Sequence, residues 1–92
     1  MATSYSYYAE QFTAGDTAKR IVTNPLFLKG VDIQVLTHDV DVGGRNNQTT
    51  ELSVGDIMSY GAEIPVDLSQ IWFVNHSAGS NGVLSITGWL ID

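Results

Sequence analysis

Hydrophobic and polar residues alternate in several short runs along the chain, and each run ends at glycine, proline or a polar cluster. The clearest run covers residues 31–37 (VDIQVLT), where Val31, Ile33 and Val35 alternate with polar residues. A period of two predicts a strand with one buried and one solvent-facing side. No stretch shows the i, i+3, i+4, i+7 spacing of an amphipathic helix over a useful length. The pattern therefore predicts an all-β chain.

Seven or eight short strands, spaced about 8–12 residues apart, are typical of an antiparallel β-sandwich, jelly-roll-like in form, or of a small barrel. We expect residues 15–92 to form this domain, preceded by a tyrosine-rich strand or arm over residues 1–14. Flexible polar loops are expected at residues 43–48 and 77–82, because both are rich in glycine and asparagine. The predicted strands cover residues 5–12, 18–23, 31–37, 39–42, 49–52, 57–64, 71–75 and 83–91.

The size of the chain favours association with other subunits. Its 92 residues include no cysteine and only two histidines. A domain of this size buries a modest core, and small domains often gain stability from disulfides, metals or partner subunits. Without cysteine there is no disulfide or thiolate metal site. We therefore expect no cofactor and no metal, and a homo-oligomer.

The charge balance excludes several function classes. The net charge is −6 and the chain has only four lysines and arginines, too few for the positive surface that phosphate binding requires. The start of the chain lacks the basic and apolar regions of a signal peptide, and no apolar run approaches the ~18 residues of a spanning helix. We expect a soluble protein made in the cytoplasm that binds neither nucleic acid nor membrane.

Two histidine neighbourhoods are the candidates for chemistry. Asp39 and Asp41 fall on one face of a predicted strand beside His38, but a Ca²⁺ site needs six to eight oxygens. His76 has a serine beside it and Asp67 upstream, yet no G-x-S-x-G elbow is present, and the histidine opens a polar loop. The expectation is that the protein is not an enzyme and has no catalytic residues.

The aromatic residues are the candidates for binding. Three tyrosines lie within four residues near the start of the chain, and tyrosine is enriched at protein–protein contacts. Packing of this edge strand on its own domain is the alternative. Trp72 or Trp89 could instead form a sugar-stacking platform. If the tyrosines form a docking arm, removing residues 1–12 should leave the domain folded. The predicted interface residues are Tyr5, Tyr7, Tyr8, Phe12 and Trp89.

From about Asp16 onward, six short segments follow one another along the chain: KGVDIQV (29–35), DVGG (41–44), LSVGD (52–56), DLSQIWFV (67–74), AG (78–79) and GW (88–89). In these segments and their order the chain resembles small virion proteins of tailed bacteriophages, of the decoration or cement type. Two departures stand out: Val54 replaces a usual proline, and the tyrosine-rich opening lies outside the pattern.

The resemblance implies a non-catalytic structural role on the virion. It implies a β-sandwich that trimerises or binds in many copies, and that stabilises a phage head by binding between capsomers. The implied partners are the major capsid protein or other virion proteins, and a trimer is the favoured homo-oligomer. A tail, fibre or adaptor component is the first alternative, and a carbohydrate-binding module using Trp72 or Trp89 is the second. A small hydrolase using His38 or His76 is the least favoured.

Overall fold

The computed structural model describes residues 5–91, with the backbone alone described for Tyr5. Strands dominate the chain, as the alternation of apolar and polar residues predicts. A single 3₁₀ turn, Leu68–Gln70, interrupts them and is capped by Asp67. The eight strands are β1 (Tyr5–Ala14), β2 (Phe27–Thr37), β3 (Val40–Gly44), β4 (Asn47–Leu52), β5 (Ile57–Tyr60), β6 (Val66–Asp67), β7 (Trp72–Asn75) and β8 (Gly82–Ile91).

The strands form two antiparallel sheets in a sandwich-like arrangement. The larger sheet has the order β1-β8-β2-β5, with β6 paired to β2. The smaller has the order β4-β3-β7. The predicted all-β fold is confirmed, and the two sheets remain separate rather than closing into one.

The core lies between the two sheets. Strands β2 and β8 contribute alternate residues, and β3 and β7 contribute Val40, Val42 and Phe73 from the opposite side. Phe73 is fully buried and packs against Phe12, with ring centroids 5.5 Å apart. The outward-facing residues of the larger sheet are set by the same alternation, because a register shift would exchange the two faces.

The segment after β1 differs from the prediction. Residues 18–23 were expected to form a strand, but the structure has only an isolated bridge there, between Lys19 and Phe73. Pro25 lies just before β2, which then begins at Phe27 rather than at Val31. The apolar residues Ile21 and Val22 still pack against the core, so this segment is apolar without being a sheet strand.

Two further boundaries were wrong. Residues 43–48 form a tight hairpin rather than a flexible loop, with Gly44 opposite Asn47 and a two-residue turn between them. Strand β5 ends at Tyr60, because Gly61 turns the chain with φ +68°. Ile64, predicted to lie in this strand on the same face as Tyr60, lies beyond its end and is exposed.

Candidate functional site

The most distinctive surface is a group of large apolar side chains at one end of the larger sheet's outer face. In the β1–β8 ladder Tyr7 lies opposite Trp89. In the β2–β8 ladder Leu28 lies opposite Leu90, which places Phe27 on the same outer face as Trp89 and Ile91. We call these four residues, Tyr7, Phe27, Trp89 and Ile91, the aromatic patch.

The four side chains of the aromatic patch are largely exposed to solvent and are not part of the core. The exposed fractions are 59% for Tyr7, 53% for Phe27, 46% for Trp89 and 40% for Ile91. Their strand neighbours Leu28 and Gly88 are buried. Alternation therefore continues to the end of the sheet, but its outward positions carry apolar rather than polar side chains.

Tyr7 and Trp89 contact each other across the ladder. Their ring centroids are 5.1 Å apart and the planes meet at 63°, an edge-on arrangement. Aromatic pairs favour this geometry, because the positive edge of one ring meets the negative face of the other. The pair holds both side chains in place but leaves no flat, coplanar surface.

A shallow cleft of about 570 Å³ lies beside Trp89 and is lined by Lys29, Gly30, Ala62 and Trp89. Gly30 has φ +64°, and the Gly30 N–H donates to the carbonyl of Gly61 at 2.8 Å. This conformation, which favours glycine, forms the irregularity in β2 and ties the 61–65 bend to one wall of the cleft.

The outer face of the larger sheet carries little charge. At the outward positions described on β1, β8, β2 and β5, the charged side chains are Lys29 and Asp32. Away from the patch, the outward residues on these strands are mostly Ser, Thr and Gln. The acidic surplus of the chain is therefore concentrated elsewhere.

The smaller sheet holds an ionic cluster on its outer face. His76 Nδ1 lies 2.9 Å from Asp41 Oδ1, and His76 Nε2 lies 3.5 Å from Glu51 Oε2. The hydrogen bond to Asp41 and the charge of Glu51 raise the pKa of His76. Since both ring nitrogens face carboxylates, the arrangement suits an imidazolium donating to both sides.

The residues singled out around His38 are dispersed. Asp39 accepts a hydrogen bond from the Val54 N–H at 3.0 Å, whereas Asp41 faces His76. His38 itself has φ 53° and lies in the turn between β2 and β3. Within residues 5–91 no group of three or more His, Cys, Asp or Glu side chains has an arrangement that could hold a metal ion.

Asp67 does not join His76. Its carboxylate accepts hydrogen bonds from the N–H of Leu26 (3.1 Å), the N–H of Ser69 (3.0 Å) and the hydroxyl of Ser69 (2.7 Å). These bonds, the Ser69 hydroxyl first, lower the pKa of Asp67. Its role is to cap the 3₁₀ turn, and the geometry holds no Ser-His-Asp arrangement among these residues.

The five predicted interface residues fall into three groups. Tyr7 and Trp89 lie in the aromatic patch, and the side chain of Tyr5 lies outside the described residues. Tyr8 and Phe12 occupy the other face of β1 and pack against the core. Because β1 is a full strand of the sheet, removing residues 1–12 would take away core contacts. Of the strand and the arm that the sequence left open, residues 5–14 form the strand.

Phe27 and Ile91 are the patch members that were missed. Ile91 follows Leu90 directly in β8, so its outward position follows from the inward position of Leu90. Phe27 follows a proline-containing segment that gave no strand signal. Trp72 was a further aromatic candidate, but the guanidinium of Arg20 lies 5.1 Å from its ring centroid and covers one side of the ring.

No protein-family model matches the sequence, and no curated protein matches it either. Among the described residues, no helix has the length and apolar character needed to cross a membrane. The surfaces of the chain itself are therefore the guide to its function.

Proposed function

We propose that this chain is a non-catalytic structural protein that binds other protein chains through the aromatic patch, as a virion decoration or cement protein does. The observation that carries the proposal is the clustering of four large exposed apolar side chains at one end of a sheet face that carries little charge. Contiguous exposed apolar surface marks interaction sites, whereas scattered apolar residues need no explanation.

The chemistry of the patch favours protein as the ligand. Tryptophan and tyrosine are enriched among the residues that dominate protein–protein binding energy, and charged residues are depleted from the centre of such interfaces. The patch has both features. Burying it against a neighbour also stabilises a small domain, because a partner that binds only the folded state shifts the folding equilibrium.

Sugar binding fits the same residues less well. A stacking platform needs an accessible ring face, but the Tyr7 and Trp89 planes meet at 63°. The ring of Trp72 is covered on one side by Arg20. The carbohydrate-binding module that would use Trp72 or Trp89 is therefore the less favoured function, and the experiment below distinguishes it from protein binding.

The resemblance to phage virion proteins gives the partner to test first. We propose the major capsid protein, with tail, fibre and adaptor surfaces as the next candidates. The low charge of the patch face supports docking on another protein, because few charged groups have to be desolvated there although the whole chain carries −6.

Co-sedimentation with empty capsids, assembled from a tailed-phage major capsid protein, tests the proposal. We expect Trp89→Ala and Phe27→Ala to weaken binding at least tenfold, because truncating a central aromatic anchor costs about 2 kcal/mol or more. Ile57→Ala is the matched control: Ile57 is 60% exposed on the same sheet but is not a patch member, and its change should alter binding less than twofold.

Three results would count against the proposal. These are failure of the wild-type chain to sediment with any virion assembly, equal loss for the patch and Ile57 variants, or glycan-array binding that depends on Trp89. Circular dichroism of each variant checks that folding is retained.

A further inference from the structure

Strand β1 forms one edge of the larger sheet. It is paired with β8 on one side and is the last strand in the sheet order. Its ladder runs over ten residue pairs, from Tyr5 opposite Ile91 to Ala14 opposite Gly82, without a register shift. On the other side, an edge strand presents alternating backbone N–H and C=O groups that another strand can pair with.

This edge lacks most of the features that keep edge strands from pairing. Natural sheets protect long edges with proline, lysine, bulges or charges. Strand β1, with the sequence YSYYAEQFTA, contains no proline or lysine and shows no bulge. Its one charged residue is Glu10.

The other described strand edges are short or covered. Strand β5 has four residues and ends at the Gly61 turn. Strand β7 is covered by the segment that follows β1. The Lys19 N–H donates to the Phe73 carbonyl at 2.9 Å, and the Phe73 N–H donates to the Lys19 carbonyl at 2.8 Å. Strand β4 has six residues, against ten for β1.

We infer that β1 pairs antiparallel with β1 of a second copy of this chain, so that the two larger sheets become one continuous sheet across a two-fold axis. An antiparallel pair of identical strands is self-complementary, which is what a two-fold interface requires. A second copy suits this edge because β1 brings only one charge per chain to the contact, although each whole chain carries −6.

The position of Glu10 disfavours one register of this pairing. Pairing centred on Glu10 would set two carboxylates directly opposite each other, with Cβ atoms about 5 Å apart, and like charges there are destabilising. We infer the register centred on Ala9, because it removes the clash, keeps each side chain on its own sheet face and sets a small side chain at the two-fold axis. Ala9 then meets Ala9 of the second copy, Tyr8 meets Glu10, and Tyr7 meets Gln11.

The chain has no cysteine, so single cysteines report this register directly. Ala9 and Gln11 are both exposed and lie on the same face of β1. With a short bifunctional thiol reagent, we expect Ala9→Cys to give a covalent dimer in high yield. Gln11→Cys, the matched control, should cross-link only at the level of random collision, because it faces Tyr7. Equal yields for the two variants, or none for Ala9→Cys, would overturn the inference.

Sedimentation equilibrium gives a second, independent readout. Ala9→Lys, which sets two cations at the two-fold axis, should weaken dimerisation at least tenfold, and Glu10→Gln should leave it unchanged or tighten it. A particle of three copies at every concentration would contradict the two-fold pairing and support the expected trimer instead. The aromatic patch is tested separately, since Trp89→Ala should change capsid binding without changing the Ala9→Cys cross-link.

Discussion

Replacing Gly82 by alanine should destabilise the fold sharply, although the change adds one methyl group. Gly82 begins β8 and is buried opposite Ala14. A Cβ atom at this position would overlap Cγ2 of Val40 and would lie 2.8 Å from the His38 carbonyl oxygen and 3.0 Å from that of Thr37. Val40 is itself fully buried, so its methyl group has no free space to occupy.

The size of the effect follows from which atoms must move. Overpacking a well-packed core costs about 1–3 kcal/mol, and two of the three obstructing atoms are backbone atoms of the turn between β2 and β3. Exchange of glycine for alanine recovers about 0.4–1 kcal/mol by restricting the unfolded chain. Since backbone atoms are hard to displace, we take the upper end of the overpacking cost, which leaves a net loss of about 2 kcal/mol. This loss corresponds to a fall in Tm of roughly 8–16 °C for a domain of this size.

Urea unfolding followed by tryptophan fluorescence measures this loss. Gly44→Ala is the matched control, because no atom lies within 4 Å of its added Cβ and its φ is ordinary; its stability should be unchanged or up to about 1 kcal/mol higher. Similar stability changes in the two variants would refute the packing of the β2–β3 turn described above.

Three further predictions follow from the core, the patch and the ionic cluster. Phe73→Ala should cost about 3–5 kcal/mol in urea unfolding, because the ring is fully buried; a loss below 1 kcal/mol would contradict its place in the core. A double-mutant cycle of Tyr7→Leu and Trp89→Leu, measured on monomers, should give a coupling energy of about 0.5–1.5 kcal/mol, and additive effects would show that the rings do not interact. The raised pKa of His76 predicts a stabilising contribution that is fully present below pH 6.5 and is lost as pH rises through the folded-state pKa. His76→Gln should abolish that part of the pH dependence of unfolding, and an unchanged profile would exclude the interaction with Asp41.

The fold was predictable where alternation was strong and unbroken. Residues 31–37 and 83–91 lie in strands because their apolar residues recur every second position and meet the same core. Residues 18–23 carry the same residue types, yet their apolar side chains reach the core from irregular backbone beside β7. The sequence pattern therefore predicts which side chains are buried more reliably than it predicts the secondary structure of the backbone that bears them.

Glycine gave the least predictable positions. Gly43 and Gly82 were placed in loops because glycine beside asparagine is typical of turns. Both lie in strands, where backbone or buried atoms leave no room for a side chain. Such close approaches are set by tertiary packing, which no local pattern records.

The candidate surface was predictable in part. Tyr7 and Trp89 were identified by residue type, but Tyr8 and Phe12 were grouped with them although strand alternation sends them to the core side. Phe27 could not be placed, because the start of β2 depends on pairing with β8 and β6 rather than on a local signal.

The most direct test of the central claim is the fluorescence of Trp89 when the chain binds its partner. Trp72→Phe leaves Trp89 as the single tryptophan, since the chain contains two. If the aromatic patch is the surface that partner chains cover, adding assembled capsids should shift the Trp89 emission to shorter wavelength and protect it from acrylamide quenching. Binding with an unchanged spectrum and undiminished quenching would show that the partner docks elsewhere on the molecule.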